Sequence, residues 1–223
     1  MTSATFTLPR RRFLVGAASL SALALAGCSS TRPQPQVPPT PQFDPFYVDM
    51  YRAVSDGGHH IPAVDLGYVD PVYYRQVVPD PTGERPGTIY IDTGSHFLYH
   101  VREGGQAMRY GVGLGRDGFS WSGRGVIQFK REWPTWTPPS AMIQRQPELE
   151  QWRHGQPGGI DNPLGARALY IFQNGRDTLY RIHGTPEPWT IGTNVSSGCV
   201  RLMNQDIMDL YSRVASGSTL IVG

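Results

Sequence analysis

The sequence predicts a mostly β protein: a small sandwich or barrel-like domain of short strands, with one late α-helix and a lid-like insertion. Three observations predict it. From Gly87 onward, apolar and polar residues alternate in short runs separated by glycine-rich turns, the period-2 pattern of half-buried strands. Asn174-Gly175 stands between two such runs, and Asn-Gly suits a tight hairpin because both turn positions need positive φ. A single helical period follows near the C-terminus. Many short strands with one helix pack as a sandwich or barrel.

Taken in order, the chain begins with the parts of an export signal over residues 1–28. Arg10, Arg11 and Arg12 precede an apolar stretch from Phe13 to Gly27 that is too short to span a bilayer, which needs about 20 apolar residues. Arg10-Arg11-Arg12-Phe13-Leu14 resembles the twin-arginine signal pattern. Leu25-Ala26-Gly27-Cys28 resembles the bacterial lipobox, which makes Cys28 the expected lipidated residue. Ser29 after it lacks the aspartate associated with inner-membrane retention, so an outer-membrane anchor on the periplasmic side is expected. Residues 29–45 are dense in proline and read as a semi-rigid tether. Residues 46–86, broken by Gly57-Gly58 and scattered prolines, read as a lead-in that packs on the main domain at 87–223.

Within that domain, strands are expected at Thr88–Ile91, His96–Arg102, Gln106–Gly113 and Gly125–Arg131. Two more, Leu169–Gln173 and Asp177–His183, flank the Asn-Gly turn. Asn204 is placed to cap a helix whose apolar face is Ile207, Leu210, Tyr211 and Val214, and Thr219–Val222 closes the domain. Between Trp133 and Leu164 the pattern changes to prolines, a short helix near Ser140 and a Gly-rich loop. That insertion is either a substrate wall or a surface excursion.

Composition excludes some functions. Three of the 20 basic residues lie before Cys28, where there is no acidic residue, leaving 17 basic and 18 acidic residues in the rest. A near-neutral body is not that of an electrostatic nucleic-acid binder. His59-His60 has no Cys or acidic partner at metal-ligand spacing, and no cofactor is implied. Ser196 and Ser197 lack the Gly-x-Ser-x-Gly elbow of an α/β-hydrolase. Trp133, Trp136 and Trp189 serve either to stack on sugar rings or to pack the domain.

The chemistry centres on Cys199. With Cys28 assigned to lipid, it is the odd thiol in a disulfide-favouring compartment: a nucleophile, an inert buried thiol or a disulfide partner of Cys28. It follows Ser196-Ser197-Gly198, where backbone N–H groups can converge on a developing oxyanion and glycine permits close approach. His183, 16 positions earlier, is expected just past a strand, where an imidazole could take the thiol proton and give a thiolate–imidazolium pair. Spacing alone does not make the two neighbours.

The whole segment, His183-Gly184-Thr185 followed by Ser196-Ser197-Gly198-Cys199-Val200-Arg201, resembles the signature of the L,D-transpeptidase catalytic domain, the YkuD-type family. The resemblance extends over Gly87 to Gly223 and takes in Asn162-Pro163-Leu164-Gly165 and Trp189-Thr190-Ile191-Gly192. It implies a β-rich enzyme that takes an acyl group from a peptidoglycan tetrapeptide stem, releases D-alanine, and passes the acyl group to an amine. By the same resemblance Cys199 is the nucleophile and His183 the base. The Gly184 carbonyl orients the imidazole, and Ser197 and Gly198 lie on the oxyanion side. Many members have His before the Gly-Cys pair and Asn two places after the Cys; here these are Ser197 and Arg201. Arg201 then either pairs with a substrate carboxylate or forms a structural salt bridge.

Three readings follow. The first is a cross-linking transpeptidase. The second keeps the enzyme but passes the acyl group to water or to the amine of an envelope protein. The third is a wall-binding lipoprotein without activity, separable by whether Cys199 alkylates at mildly acidic pH.

Overall fold

The computed structural model of the chain describes residues 42–115, 122–196 and 198–223. The expected export signal, the lipobox Cys28, most of the proline-rich tether and Ser197 lie outside them. The strands in chain order are β1 (Val54–Asp56), β2 (His59–Ile61), β3 (Gln76–Pro79), β4 (Ile89–Asp92), β5 (Phe97–Arg102), β6 (Gln106–Gly111) and β7 (Leu114–Gly115). They continue with β8 (Gly123–Glu132), β9 (Arg167–Gln173), β10 (Arg176–Thr185), β11 (Asn194–Ser196), β12 (Val200–Met203) and β13 (Thr219–Val222). Among the described residues three α-helices accompany them: α1 (Pro45–Met50), α2 (Ser140–Arg145) and α3 (Asn204–Arg213).

Nine strands form one mixed sheet in the order β12-β10-β9-β8-β13-β4-β5-β6-β3, with β1–β2 and β7–β11 as separate pairs. The last strand, β13, runs parallel to β4 and antiparallel to β8, so the C-terminus fills the middle of the sheet. The sheet is not a closed barrel, but its far side returns. Just past β6, Gly113 exchanges two backbone hydrogen bonds with Arg201 of β12, at 3.0 and 2.9 Å. β7 also pairs with β11. The curl draws the strand bearing Arg201 against the domain.

Alternation decides which face is core. Leu169 and Ile171 of β9, Ile182 of β10, and Val200 and Leu202 of β12 are fully buried against Ile207, Leu210 and Val214. Each such side chain contributes roughly 1.5–3 kcal/mol of transfer free energy. The residues between them point to the opposite face, which carries the candidate site. Lys130, the chain's single lysine, reaches the core-side helix and donates to the carbonyls of Tyr211 and Val214 at 2.7 and 2.6 Å. It thereby closes the C-terminal end of α3, where carbonyls lack helical partners and a cation is favoured.

Residues 43–80 pack on this domain. Tyr51, Leu66, Val69 and Tyr74 form a second apolar cluster with Ile191 and Met203. β3 extends the sheet beside β6. Polar ties reinforce the contact: Asp56 pairs bidentately with Arg167 at 2.8 and 2.9 Å, and Gln205 donates to the Pro62 carbonyl at 3.0 Å.

Several expectations change in detail. Asn204 does not cap α3. It is the first helical residue, Met203 holds the cap position without a side-chain bond, and Asn204 Oδ1 accepts from Ala166 N–H at 2.9 Å. Burial explains the change, because the bend at Gly165–Ala166 presents a donor that water does not reach. The insertion is anchored: Trp136 and Gln156 form a bridge, and the buried Asn162 amide donates toward the Pro134, Gln156 and Pro157 carbonyls. Trp133 is a packing residue, donating to Asp56 at 2.8 Å and stacking on His59 at 4.1 Å between centroids.

Candidate active site

Strand register assembles the site. β10 and β12 run parallel with Ile182 opposite Val200 and His183 opposite Arg201. Extending that register by one residue sets Cys199 opposite Arg181. Because Ile182 and Val200 face the core, Arg181, His183, Cys199 and Arg201 share the other face. Cys199 and His183 are diagonal neighbours, with strands about 4.8 Å apart and two residues of rise, so about 8 Å between Cα atoms. Facing side chains bridge such a gap.

His183 is 4% exposed and lies within β10, two residues before its end, not beyond the strand as expected. Its Nδ1 is 2.6 Å from the Gly184 carbonyl oxygen. A carbonyl only accepts, so Nδ1 carries the proton and Nε2 keeps its lone pair. Gly184 can serve here because α3 comes close: a Cβ on it would collide with Asn204 Oδ1 and come within 2.9 Å of Ile207 Cγ2. Burial lowers the His183 pKa to about 4, with Arg201 and Arg181 adding repulsion and the Gly184 bond opposing.

Cys199 is present as a thiol. Burial pushes its pKa up, against a backbone hydrogen bond from Arg181 and the charges of Arg181 and Arg201. Desolvation thus acts against the charged form of both groups, while the nearby cations favour a thiolate and disfavour an imidazolium. Before Cys199, Gly198 has φ +123°, and a Cβ there would lie 3.1 Å from Tyr180 Cε1. Glycine is therefore required both for the backbone conformation and for the close approach.

Arg201 forms an ion pair with Glu187 at 2.9 Å, which supports the salt-bridge alternative for this residue. Its Nε is nonetheless buried without an acceptor among the described residues. Farther along the same face, Thr185 and Met203 line a cavity of about 380 Å³. Ile61–Asp65 and Tyr68 of the lead-in, Ile160 and Asp161 of the insertion, and the 56% exposed Trp189 also line it. Among the described residues, no three His, Cys, Asp or Glu side chains are grouped to hold a metal.

Sequence reasoning missed Arg181, Asp177 and Tyr180. They lie at a register shift in β10 between Asp177 and Arg181, where Leu179 has φ +64°. Asp177 Oδ1 accepts from Leu179 N–H at 2.8 Å, and its carboxylate receives both Arg181 Nη atoms at 2.7 and 2.8 Å. An Asp two residues before a bulged position was the available signal, because its side chain bonds the turning backbone.

A cysteine and an oriented imidazole thus stand on one edge of a mixed β-sheet. Residues 86–222 match the YkuD family profile, the L,D-transpeptidase catalytic domain, and the chain belongs to that family. It is 37% identical over 184 residues to the Probable L,D-transpeptidase YbiS of Escherichia coli K12, covering 78% of this chain and 57% of that protein. The Probable L,D-transpeptidase ErfK/SrfK of the same organism is 34% identical over 145 residues, covering 64% of this chain and 44% of that protein. The chain thus spans about half the length of these relatives. A crystal structure described as a probable carnitine operon oxidoreductase from Brucella melitensis is 46% identical, covering 69% of this chain and 96% of that one with a TM-score of 0.49.

Proposed function

We propose that the protein is a peptidoglycan L,D-transpeptidase working through a thioester on Cys199. The observation that carries the reading is the registered placement of Cys199 and His183 on one face, with the imidazole oriented by Gly184. Cys199 Sγ attacks the donor carbonyl while His183 Nε2 takes the thiol proton. Backbone N–H groups at Ser197, Gly198 and Cys199 receive the oxyanion. Collapse breaks the amide bond, and the imidazolium gives its proton to the departing D-alanine amine. An acceptor amine then attacks the thioester, losing a proton to His183, and Cys199 regains its proton as it leaves. An imidazolium with so low a pKa is a strong acid, which favours rapid donation to the leaving amine. Arg201, whose side chain is 18% exposed beside its Glu187 pair, is proposed to hold a substrate carboxylate.

The proposed arrangement in the cell is an export signal over 1–28, lipid on Cys28, a tether over 29–45, the lead-in over 46–86 and the catalytic domain over 87–223. The protein would face peptidoglycan from the periplasmic side, with an outer-membrane anchor. Among the described residues no helix is long and apolar enough to cross a membrane.

Incubation with a disaccharide-tetrapeptide, read by mass spectrometry, tests the reaction. Loss of D-alanine with a cross-linked dimer is expected. Tripeptide without dimer would make the protein an L,D-carboxypeptidase. A product seen only with an added envelope protein would mark that protein as the acceptor. No D-alanine release at all would contradict the proposal.

A further inference from the structure

Two rows of residues cross the site face in register. In one, Arg131 of β8 lies opposite Ala168 of β9, which lies opposite His183, which lies opposite Arg201. In the other, Phe129 lies opposite Tyr170, Tyr170 opposite Arg181, and Arg181 beside Cys199. The second row is stacked throughout. Phe129 lies on Tyr170 at 4.3 Å with an interplanar angle of 21°, and the Arg181 guanidinium sits 4.2 Å over the Tyr170 ring. Arg131 covers the outer end, 5.2 Å from the Phe129 centroid. The bidentate Asp177 pair fixes Arg181 in its place on the stack. This is a shelf that starts at the nucleophile and runs across three strands.

Its charge is uneven. Asp177 neutralises Arg181 and Glu187 neutralises Arg201. Arg131 is exposed, and among the described residues it takes part in no ion pair. One uncompensated guanidinium therefore stands two strands from His183, about 10 Å away. The bond attacked lies at Cys199, a third strand away, so the shelf from Arg131 to it is about 14 Å long, the span of about four residues of an extended peptide at about 3.3–3.6 Å each.

We propose that this shelf binds the acyl donor's peptide and that Arg131 selects donors by pairing with an internal carboxylate. The proposal rests on the acyl-transfer reading and names the group of the donor that is recognised. The donor, not the acceptor, is the occupant because the stack ends at Cys199, where the donor carbonyl must lie. Arg131 is a specificity residue and does not touch the reacting atoms. An Arg fork suits a carboxylate, and its exposure lets the pair form without burying an unpaired charge.

The test compares two synthetic stem tetrapeptides, one with free internal carboxylates and one with those carboxylates amidated. Their binding to the full chain carrying Cys199→Ala is measured by calorimetry, and D-alanine release is measured separately with Cys199 intact. The free-acid donor should bind about tenfold more tightly, a difference of about 1.4 kcal/mol. Adding Arg131→Gln should abolish the preference by weakening that donor alone, and Arg131→Lys should keep part of it. Equal binding of the two donors to the Arg131 protein, or an equal loss of both in Arg131→Gln, would overturn the proposal. Selective binding without any D-alanine release would uphold the shelf and contradict the acyl-transfer reading instead.

Discussion

At the residue scale, burial acts against charge on both His183 and Cys199. His183 loses water on all sides, and Arg181 and Arg201 disfavour a third positive charge beside them. The same cations favour negative charge at sulfur or oxygen, so they oppose the resting imidazolium and assist the oxyanion. The pH profile carries the signature. A free-enzyme base with a pKa of about 4 stays active well below the ordinary histidine range. For D-alanine release, kcat/KM should therefore be level from about pH 5 to pH 8 and fall only as pH approaches 4. An acid limb near 6.5 would instead indicate an unperturbed imidazole. Both residues were legible in the sequence because Ser-Gly-Cys and His-Gly are local motifs. Their protonation states were not, since desolvation depends on strands that come together only in the fold.

At the element scale, β10 carries most of the site, and its bulge sets where the rest falls. The Asn174-Gly175 hairpin was readable from the turn chemistry, but the bulge at Thr178–Tyr180 was not. A period-2 reading places every second residue on one face and misses two extra residues in the ladder. β12 was missed for a different reason. Four residues directly before a helix offer too little alternation, and pairing with β10 is what makes them a strand. The helix α3 was read correctly in its apolar face but not in its cap, because Asn204 bonds a distant backbone donor. Its other end depends on Lys130. Lys130→Met should lower unfolding free energy by about 1–3 kcal/mol, measured by denaturant melts. An unchanged midpoint would show that water satisfies those carbonyls equally well.

At the scale of the whole molecule, the lead-in and the C-terminal helix are tied through buried charge. Tyr51 accepts from Arg75 N–H at 2.7 Å and donates to Asp206 at 3.2 Å, while Arg75 also pairs with Asp209 at 3.1 Å. Burial raises the Asp206 pKa to about 7 despite Arg75. Between pH 4 and 7 the folded state then holds a proton that the unfolded chain releases, so this group's contribution to stability falls as pH rises through that window. Asp206→Asn removes the effect. Its Tm relative to the unsubstituted protein should therefore increase from pH 5 to pH 8, by differential scanning calorimetry. A difference independent of pH would mean that Asp206 is ionised throughout. The β-rich class and the late helix were readable from local pattern. The return of the sheet through Gly113 and Arg201, and the part that residues 61–68 play in the cavity beside the site, were not, because both join segments far apart in sequence.

The most direct measurement is the intact mass of the full chain mixed with tetrapeptide donor and quenched in acid before an acceptor is supplied. A single adduct equal to the donor less D-alanine is expected, located on Cys199 by peptide mapping and missing in Cys199→Ala. An adduct on another residue, or D-alanine released by Cys199→Ala, would contradict the thioester reading.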